Sequence, residues 1–202
     1  MKSGVFIKAQ EMITHIIFRT VTRLLAMYLV TAMVTGPAFA DEPATSSWYD
    51  KAVQRLEATW KDGRTELYVP LHVYHVRSSY TREKINSFNE TPWGLGIGKG
   101  AYDQDGDWHG VYVMEFKDSH SMPEYLGGYG YKTFWPLHDE LKFGLGYAAF
   151  ITARADIGHY TPIPGVLPMA SLEYQRYSLD TIYLPGGHGR GNIFIFWGKV
   201  RF

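Results

Sequence analysis

Three side chains that can catalyse acyl transfer lie at the ends of predicted strands. His75 is near the end of the first strand-like segment, and Asp118 and Ser119 directly follow the third. An imidazole can take a proton from a hydroxyl and a carboxylate can orient the imidazole, so this set suits nucleophilic attack on an ester. The trio alone is not specific, because these residues are common in loops. It becomes informative only if the fold brings both segments together.

Eight strand-like segments follow one another along the chain, and long connections alternate with short ones. The second, fourth and sixth connections are brief, whereas the others are longer and polar or rich in Gly and Pro. An even number of strands of about 10 residues, with the long connections at one end, is typical of outer-membrane barrels. The predicted fold is therefore all-β, an eight-stranded antiparallel transmembrane β-barrel. Its segments span residues 67–77, 93–102, 108–117, 125–135, 141–153, 165–175, 177–184 and 192–202.

This topology predicts that the three residues meet at one rim of the barrel. If both termini are periplasmic, the first and third strands run outward and carry His75, Asp118 and Ser119 to the same end. Neighbouring strand residues point to opposite faces, so Asp118 and Ser119 can serve one site only where the strand is ending. The following residues 120–123 (HSMP) indicate that it ends there.

Residues 1–40 are predicted to be a cleaved signal peptide. Four basic side chains precede an apolar stretch at residues 24–34, and a small-residue cleavage site follows at residues 38–40. A transmembrane helix is the alternative, but the uncharged stretch 24–40 contains Gly36 and Pro37. It also falls short of the ~20 apolar residues that a membrane span requires. The signal peptide is the better interpretation.

The mature chain, residues 41–202, is predicted to be a single domain. The sequence has 20 basic and 20 acidic residues, and the leader removes four basic and one acidic, which leaves 16 against 19 and a net charge of −3. That balance does not suit nucleic-acid binding. The absence of cysteine excludes disulfides and thiolate metal sites. The 16% of aromatic residues suits interfacial girdles around a barrel.

An amphipathic helix is predicted at about residues 47–61, before the barrel at about residues 66–202. Ser47 is a suitable N-cap with an acidic residue three positions later. Apolar side chains from Trp48 to Trp60 recur at helical spacing, and charged ones fill the other face. Two tryptophans with mixed charge favour a helix at the membrane interface. The alternative is a plug inside the lumen, for which so small a barrel offers little room.

Glycine recurs at every second position in several strands, as at residues 94–100 and at positions 128 and 130. Glycine weakens a strand, so each should have a reason. Either the glycines serve barrel curvature and close packing, or they hollow the lumen for a slender ligand such as an acyl chain. Prolines remove ladder donors and could part neighbouring strands for lateral access from the membrane, or simply lie at edges and in loops. They are Pro70, Pro162, Pro164, Pro168 and Pro185.

No metal site is predicted. His72 lies three residues before His75, and one strand face cannot hold both side chains. The other histidines show no ligand spacing.

Several stretches of the mature chain carry distinctive combinations of residues. They include residues 67–70 (LYVP), 89–94 (NETPWG), 108–119 (WHGVYVMEFKDS), 128–130 (GYG), 144–146 (GLG), 152–154 (TAR), 162–171 (PIPGVLPMAS), 183–186 (YLPG) and the closing 191–202. In order and spacing they resemble the PagP-type lipid A palmitoyltransferases along essentially the whole mature region. The chain departs from the family after Ser119, where HSMP replaces a Trp-bearing loop, and at residues 155–160. Both departures lie where the acylated position on lipid A is expected to be selected.

The resemblance implies an outer-membrane barrel that transfers palmitate from a glycerophospholipid to a hydroxyacyl chain of lipid A. Carried over by motif, the catalytic residues are His75 as general base or acid, Asp118 as its orienting group or a substrate-binding group, and Ser119 as nucleophile or oxyanion donor. Gly130 matches the residue that forms the floor of the acyl pocket. The five prolines named above match positions near the strand gaps by which lipids enter.

No cofactor is expected, because the phospholipid ester is already an activated acyl donor. The expected partners are the phospholipid donor, the lipid A acceptor and other outer-membrane lipids, with the protein as a monomer or weak homodimer. Two other functions stay open. An outer-membrane lipid hydrolase could use the same Ser and His, and a structural or adhesive barrel would need neither the polar trio nor a hollow lumen.

Overall fold

The computed structural model describes residues 48–202, with side chains from residue 50 onward. The predicted signal peptide, residues 1–40, and the predicted helix cap Ser47 lie outside the described residues. The chain divides into two units at the boundary between residues 57 and 58, and all described strands belong to the second.

Helix α1 spans Trp48–Asp62, one residue later at each end than predicted. Asp50 lies in its first turn and Lys61 in its last, where each charge is favoured by the helix dipole. Gly63 ends the helix, and its N–H donates to the Thr59 carbonyl at 3.0 Å. A side chain at Gly63 would lie 2.3 Å from that carbonyl oxygen, so the close turn into the first strand requires glycine. Among the described residues no helix is long and apolar enough to cross a membrane.

Eight antiparallel strands close into a barrel in which each strand pairs with its neighbours in sequence and the last pairs with the first. This confirms the predicted fold class. The strands are β1 (Arg64–His75), β2 (Gly94–Tyr102), β3 (Trp108–Lys117), β4 (Pro123–His138), β5 (Leu141–Arg154), β6 (Ile163–Tyr174), β7 (Tyr177–Leu184) and β8 (Ile193–Arg201).

Strand β4 is longer at both ends than the predicted segment 125–135. It begins at Pro123, which pairs with Lys117, so the connection from β3 has only five residues, 118–122. It continues through a bulge between Pro136 and His138, which leaves a two-residue turn into β5. The predicted segment stopped before Pro136, but Pro136 pairs with Lys142, and the bulge accommodates its missing N–H.

Connections 76–93, 118–122, 155–162 and 185–192 lie at one end of the barrel, because antiparallel strands alternate in direction. We call this end the loop rim. The first connection contains a short helix α2 (Arg82–Asn86), whose N-cap Thr81 accepts a hydrogen bond from the Lys84 N–H. The opposite rim carries the short connections and both chain ends of the barrel. His75, Asp118 and Ser119 all lie at the loop rim, as the topology predicted.

The outward face of the strands is apolar in the middle and aromatic towards the ends. Exposed Leu95, Ile97, Val113, Leu145, Val166 and Leu179 form a belt around the barrel. Exposed aromatic side chains flank it, with Trp93 and Tyr125 near the loop rim and Trp135, Tyr174 and Tyr177 near the opposite rim. An apolar belt with aromatic girdles at both edges is typical of the lipid-facing surface of an outer-membrane barrel.

The lumen is filled near the opposite rim by two buried ion pairs around one indole. Lys132 contacts Asp180 at 2.5 Å, and Lys199 contacts Glu66 at 3.1 Å. Both ammonium groups lie over the Trp108 ring, 4.3 and 3.9 Å from its centroid. Pairing and cation–π contact offset the cost of burying these charges. This charged layer closes the lower half of the barrel.

Candidate active site

The structure brings His75 and Ser119 into contact at the loop rim. His75 is the last residue of β1, and Ser119 is the second residue after β3. The distance from Ser119 Oγ to His75 Nε2 is 3.3 Å, and the histidine is only 1% exposed. A hydroxyl at that distance can pass its proton to the imidazole, so the pair has the geometry of a nucleophile or donor with its base.

A short stretch of the first connection ties the ends of β1 and β3 together. The Glu90 carbonyl accepts the Val73 N–H at 2.9 Å, and the Asn89 N–H donates to the Ser119 carbonyl at 2.8 Å. These two backbone hydrogen bonds span strands that are not neighbours in the barrel. The connection therefore fixes the separation between His75 and Ser119.

Glu90 holds the other side of the imidazole. Its Oε1 lies 3.0 Å from His75 Nδ1 and accepts the His75 backbone N–H at 3.2 Å. Arg77 donates to both carboxylate oxygens, at 2.7 and 2.6 Å. Burial acts to raise the pKa of Glu90, but the hydrogen bonds from Arg77 and His75 outweigh it and lower the pKa to about 2. The carboxylate is thus ionised at neutral pH.

Two aromatic rings restrain His75 from the side. Phe88 stacks on the imidazole with centroids 4.2 Å apart, and Tyr80 meets it edge-on at 5.4 Å. The Tyr80 hydroxyl donates to the Gly191 carbonyl in the last connection. Stacking and edge contacts of this kind hold a ring in one orientation and keep water away from it.

Asp118 has different partners from those predicted for an orienting group. One carboxylate oxygen accepts the backbone N–H groups of His120 and Met122, at 2.8 and 2.9 Å. The other faces the Arg154 guanidinium at 3.4 Å. These bonds close the five-residue connection after β3, in which Ser121 adopts a left-handed φ of 62°. Asp118 therefore shapes the loop that presents Ser119, and the contact with the imidazole belongs to Glu90.

Sequence reasoning did not single out Glu90, although it lies in the NETPWG stretch at residues 89–94. No periodicity marks a side chain that reaches back from the end of an 18-residue connection. The available signal was a carboxylate inside a distinctive motif, with Arg77 two residues after the predicted base.

Asp118, His120 and Asp156 form a cluster with metal-ligand chemistry that sequence spacing did not reveal. Their ligand atoms all lie within 4.8 Å of one another. However, Arg154 donates to both Asp156 oxygens, at 2.8 and 3.0 Å, and also faces Asp118. An arginine that already compensates both carboxylates makes the cluster a poor cation site.

An apolar cavity of about 260 Å³ lies inside the barrel between the loop rim and the charged layer. Its upper lining includes Phe116, three residues before Ser119, and its lower lining includes Tyr112 and Trp197. Elsewhere the wall is made by Met114, Leu126, Phe150, Leu167, Ile182 and Ile195. A slender apolar ligand such as an acyl chain suits this lining.

Gly130 does not line this cavity, because the Trp108 ring covers it. A Cβ at Gly130 would lie 2.7 Å from Trp108 Cζ3, and one at Gly110 would lie 2.1 Å from Cζ2 of the same ring. Gly96 and Gly100 likewise give room to Met114 and Glu66. Of the two explanations for the glycine repeats, close packing fits these positions better than a hollow lumen. An influence of Gly130 on the cavity would act first through Trp108, the side chain nearest to it.

Two of the five predicted prolines line the cavity, and these two together with Pro168 lie beside unpaired strand segments. Pro70 and Pro164 are lining residues. The β1–β2 pairing stops at Tyr68, before Pro70, and the β6–β7 pairing starts at Met169, after Pro164 and Pro168. Pro162 lies in the connection before β6, and Pro185 directly follows β7. Two lateral gaps therefore open towards the loop rim, where a ladder would otherwise close the wall.

Comparison with known proteins places these features in a family. The family profile described as "Antimicrobial peptide resistance and lipid A acylation protein PagP" matches residues 55–199. Similar proteins named "Lipid A acyltransferase PagP" occur in Methylobacillus flagellatus, 50% identical over 156 residues, and in Bordetella parapertussis, 41% identical over 180 residues. These alignments cover 77% and 89% of this chain, and 85% and 97% of the relatives. A third, from Laribacter hongkongensis, is 42% identical over 150 residues, 74% of this chain and 72% of the relative.

Proposed function

The chain belongs to the PagP family, and we propose that it is an outer-membrane acyltransferase that moves a palmitoyl chain from a glycerophospholipid to a hydroxyacyl chain of lipid A. The observation that carries this proposal is the His75 and Ser119 pair, 3.3 Å apart, above an apolar cavity inside a barrel. A lipid hydroxyl and a lipid ester can both reach that rim from the membrane. The barrel belongs in the outer membrane, with the loop rim at its outer leaflet.

The chemistry is transfer of an acyl group between two oxygens. The attacking hydroxyl loses its proton to His75 Nε2 as its oxygen bonds to the carbonyl carbon of the donor ester. The ester C–O bond then breaks, and the imidazolium returns the proton to the departing glycerol oxygen. Ser119 acts either as a first nucleophile, which forms an acyl-enzyme, or as a hydrogen-bond donor to the oxyanion. Asp118 holds the loop that carries Ser119.

The cavity receives the acyl chain of the donor while its ester stays at the rim. The two lateral gaps, beside Pro70 and beside Pro164 and Pro168, supply routes from the membrane into the barrel wall. Pro162 and Pro185 border the second gap in the connections next to β6 and β7. Gly130 sets the depth of the cavity by fixing the Trp108 ring beneath it.

Export by the signal peptide at residues 1–40 would deliver the protein to the outer membrane of a Gram-negative cell. We propose that the protein acts as a monomer or a weak homodimer, because His75, Ser119 and Glu90 already meet within one barrel.

Expression in a Gram-negative strain that lacks lipid A palmitoylation tests this proposal. Mass spectrometry of isolated lipid A should show a species heavier by one palmitoyl group with the parent protein and not with Ser119→Ala. A membrane that contains the folded parent barrel but unmodified lipid A would contradict the proposal.

A further inference from the structure

Building on the proposed acyl transfer, we infer that Glu90 is the positioning residue that orients His75. Ser119, His75 and Glu90 form a chain of hydrogen bonds in which Asp118 takes no direct part. The two nitrogens of one imidazole face two different groups. Nε2 faces the Ser119 hydroxyl at 3.3 Å, and Nδ1 faces the Glu90 carboxylate at 3.0 Å.

The carboxylate selects the tautomer that catalysis needs. A carboxylate can only accept, so Nδ1 must carry the hydrogen that it donates to Glu90. In the neutral ring Nε2 then has its lone pair directed at Ser119, which is the form of a general base. After proton transfer the same carboxylate stabilises the imidazolium. Among residues 48–202, no other carboxylate oxygen is placed on His75 Nδ1.

Glu90 is itself held on several sides. Arg77 donates hydrogen bonds to both of its carboxylate oxygens, and the His75 backbone N–H donates to the oxygen that faces the ring. The Glu90 carbonyl is bonded to Val73 in β1. Because its backbone and a bidentate arginine fix the Glu90 carboxylate, it can set the orientation of the His75 imidazole.

Asp118 cannot share this role in the observed arrangement. Its Oδ1 is engaged by two backbone N–H groups and its Oδ2 faces Arg154. An asparagine at position 118 could still accept both backbone hydrogen bonds through its amide oxygen. The two carboxylates therefore differ in a way that amide substitution can measure.

The charges around His75 determine how the pH profile should respond. Glu90 and Arg77 face the imidazole from the first connection, together with the rings of Tyr80 and Phe88, and His120 lies beyond Phe88. Loss of the Glu90 charge leaves Arg77 and His120, which both disfavour an imidazolium. The acidic limb of the kcat/KM profile should therefore move to lower pH when Glu90 is neutralised.

The experiment compares Glu90→Gln and Glu90→Asp with Asp118→Asn and with the control Glu83→Gln, which removes an exposed carboxylate from the same connection. Refolded proteins are assayed with phospholipid donor and lipid A in mixed detergent micelles. General base catalysis is worth about 10²–10⁴-fold, so Glu90→Gln should lower kcat by at least about 10-fold while KM stays within about twofold. Glu90→Asp should recover part of the loss, Asp118→Asn should lose less than Glu90→Gln, and Glu83→Gln should match the parent.

A second readout, ¹⁵N NMR of the His75 ring, does not depend on activity. The parent ring should carry its proton on Nδ1, and Glu90→Gln should shift the tautomer balance. If the parent forms no acylated lipid A, the proposed function fails, and the NMR result still decides whether Glu90 orients the ring. The inference is overturned if Glu90→Gln matches Glu83→Gln in kcat and pH profile, or if the parent ring carries its proton on Nε2. Should Glu90→Gln not fold, Glu90→Asp and the parent spectrum decide.

Discussion

At the scale of single residues, the site is one imidazole held on all sides. Ser119 lies at Nε2, Glu90 at Nδ1, and Phe88 stacks on the ring face. A histidine fixed in this way loses little conformational entropy when it adopts its reactive orientation. A preorganised site lowers the activation free energy in this manner.

Alanine at His75 or Ser119 should reduce acyl transfer by about 10²–10⁴-fold, the usual contribution of a general base or an activated nucleophile. Asp118→Ala should also reduce transfer strongly, because two backbone N–H groups of the Ser119 loop lose their acceptor. Initial rates with labelled phospholipid measure the effect. His72→Ala serves as the matched control, since His72 is exposed on the same strand. Near-parental rates in all three variants, with folded barrels, would remove the assignment.

The pairing of His75 with Ser119 was predictable from sequence, and the role of Glu90 was not. Strand count and direction alone carry His75 and Ser119 to the same rim. The hydrogen bonds of Glu90 depend on how residues 76–93 fold back, and this irregular connection has no period from which a contact can be read. The Trp108 ring over Gly130 was also missed, because a repeat of glycines does not reveal which side chain uses the space.

At the scale of elements, the connections and the gaps between strands shape the candidate site more than the strands themselves do. The first connection carries Glu90 and Arg77 and ties β1 to the β3 loop. Strands β6 and β7 separate before the loop rim, beside prolines that offer no N–H. The barrel wall is thus tied together by hydrogen bonds at the site and unpaired beside these prolines, where the proposed function has lipid enter.

Restoring backbone donors should narrow the gap between β6 and β7. The double change Pro164→Ala with Pro168→Ala should slow transfer several-fold while the melting temperature stays the same or rises, because extra ladder hydrogen bonds form. Pro136→Ala, at the opposite rim, is the control and should leave the rate unchanged. Thermal unfolding by circular dichroism and initial rates test this. A lower melting temperature with an unchanged rate would show that the prolines serve the fold and not access.

The first connection should loosen in acid because of Glu90. Its carboxyl pKa is lowered from 4.5 to about 2 in the folded protein, so its stabilising effect is fully present above pH 4.5 and is lost as the pH falls towards 2. Pepsin cleavage within residues 76–93, normalised to a reference peptide, should accelerate over that range in the parent. Glu90→Gln should be cleaved at a rate that varies little with pH. The same pH dependence in both proteins would contradict this role.

At the scale of the whole molecule, the barrel is divided into a hollow upper half and a packed lower half. The apolar cavity ends near Tyr112 and Trp197, and below it the ammonium groups of Lys132 and Lys199 lie over the Trp108 ring. This dense, charged layer has no room for the end of a longer acyl chain, because adding volume to a packed interior causes strain. If the cavity holds the acyl chain, as proposed, this division limits the length of chain that the barrel accepts.

Gly130→Ala should shift donor preference towards chains shorter than sixteen carbons. The added methyl group would lie 2.7 Å from the Trp108 ring and push it towards the cavity, and overpacking by a long chain would cost about 1–3 kcal/mol. Gly130→Met should shift it further. Competition among phospholipids with twelve- to eighteen-carbon chains measures the preference. The control is Gly127→Ala on the same strand, where a Cβ would meet its nearest atom at an ordinary 3.6 Å. A uniform slowing of all donors would instead assign Gly130 to stability alone.

The most direct test of acyl transfer at the His75 and Ser119 pair follows both products of one reaction. Refolded parent protein is incubated in mixed micelles with lipid A and a phospholipid whose palmitoyl chain and glycerol carry different labels. We expect equal amounts of palmitoylated lipid A and lysophospholipid from the parent, and formation of both products to be about 10²–10⁴-fold slower with Ser119→Ala or His75→Ala. Free palmitate in place of acylated lipid A would make the protein a hydrolase. No product from a folded parent, or full transfer by both variants, would contradict the account.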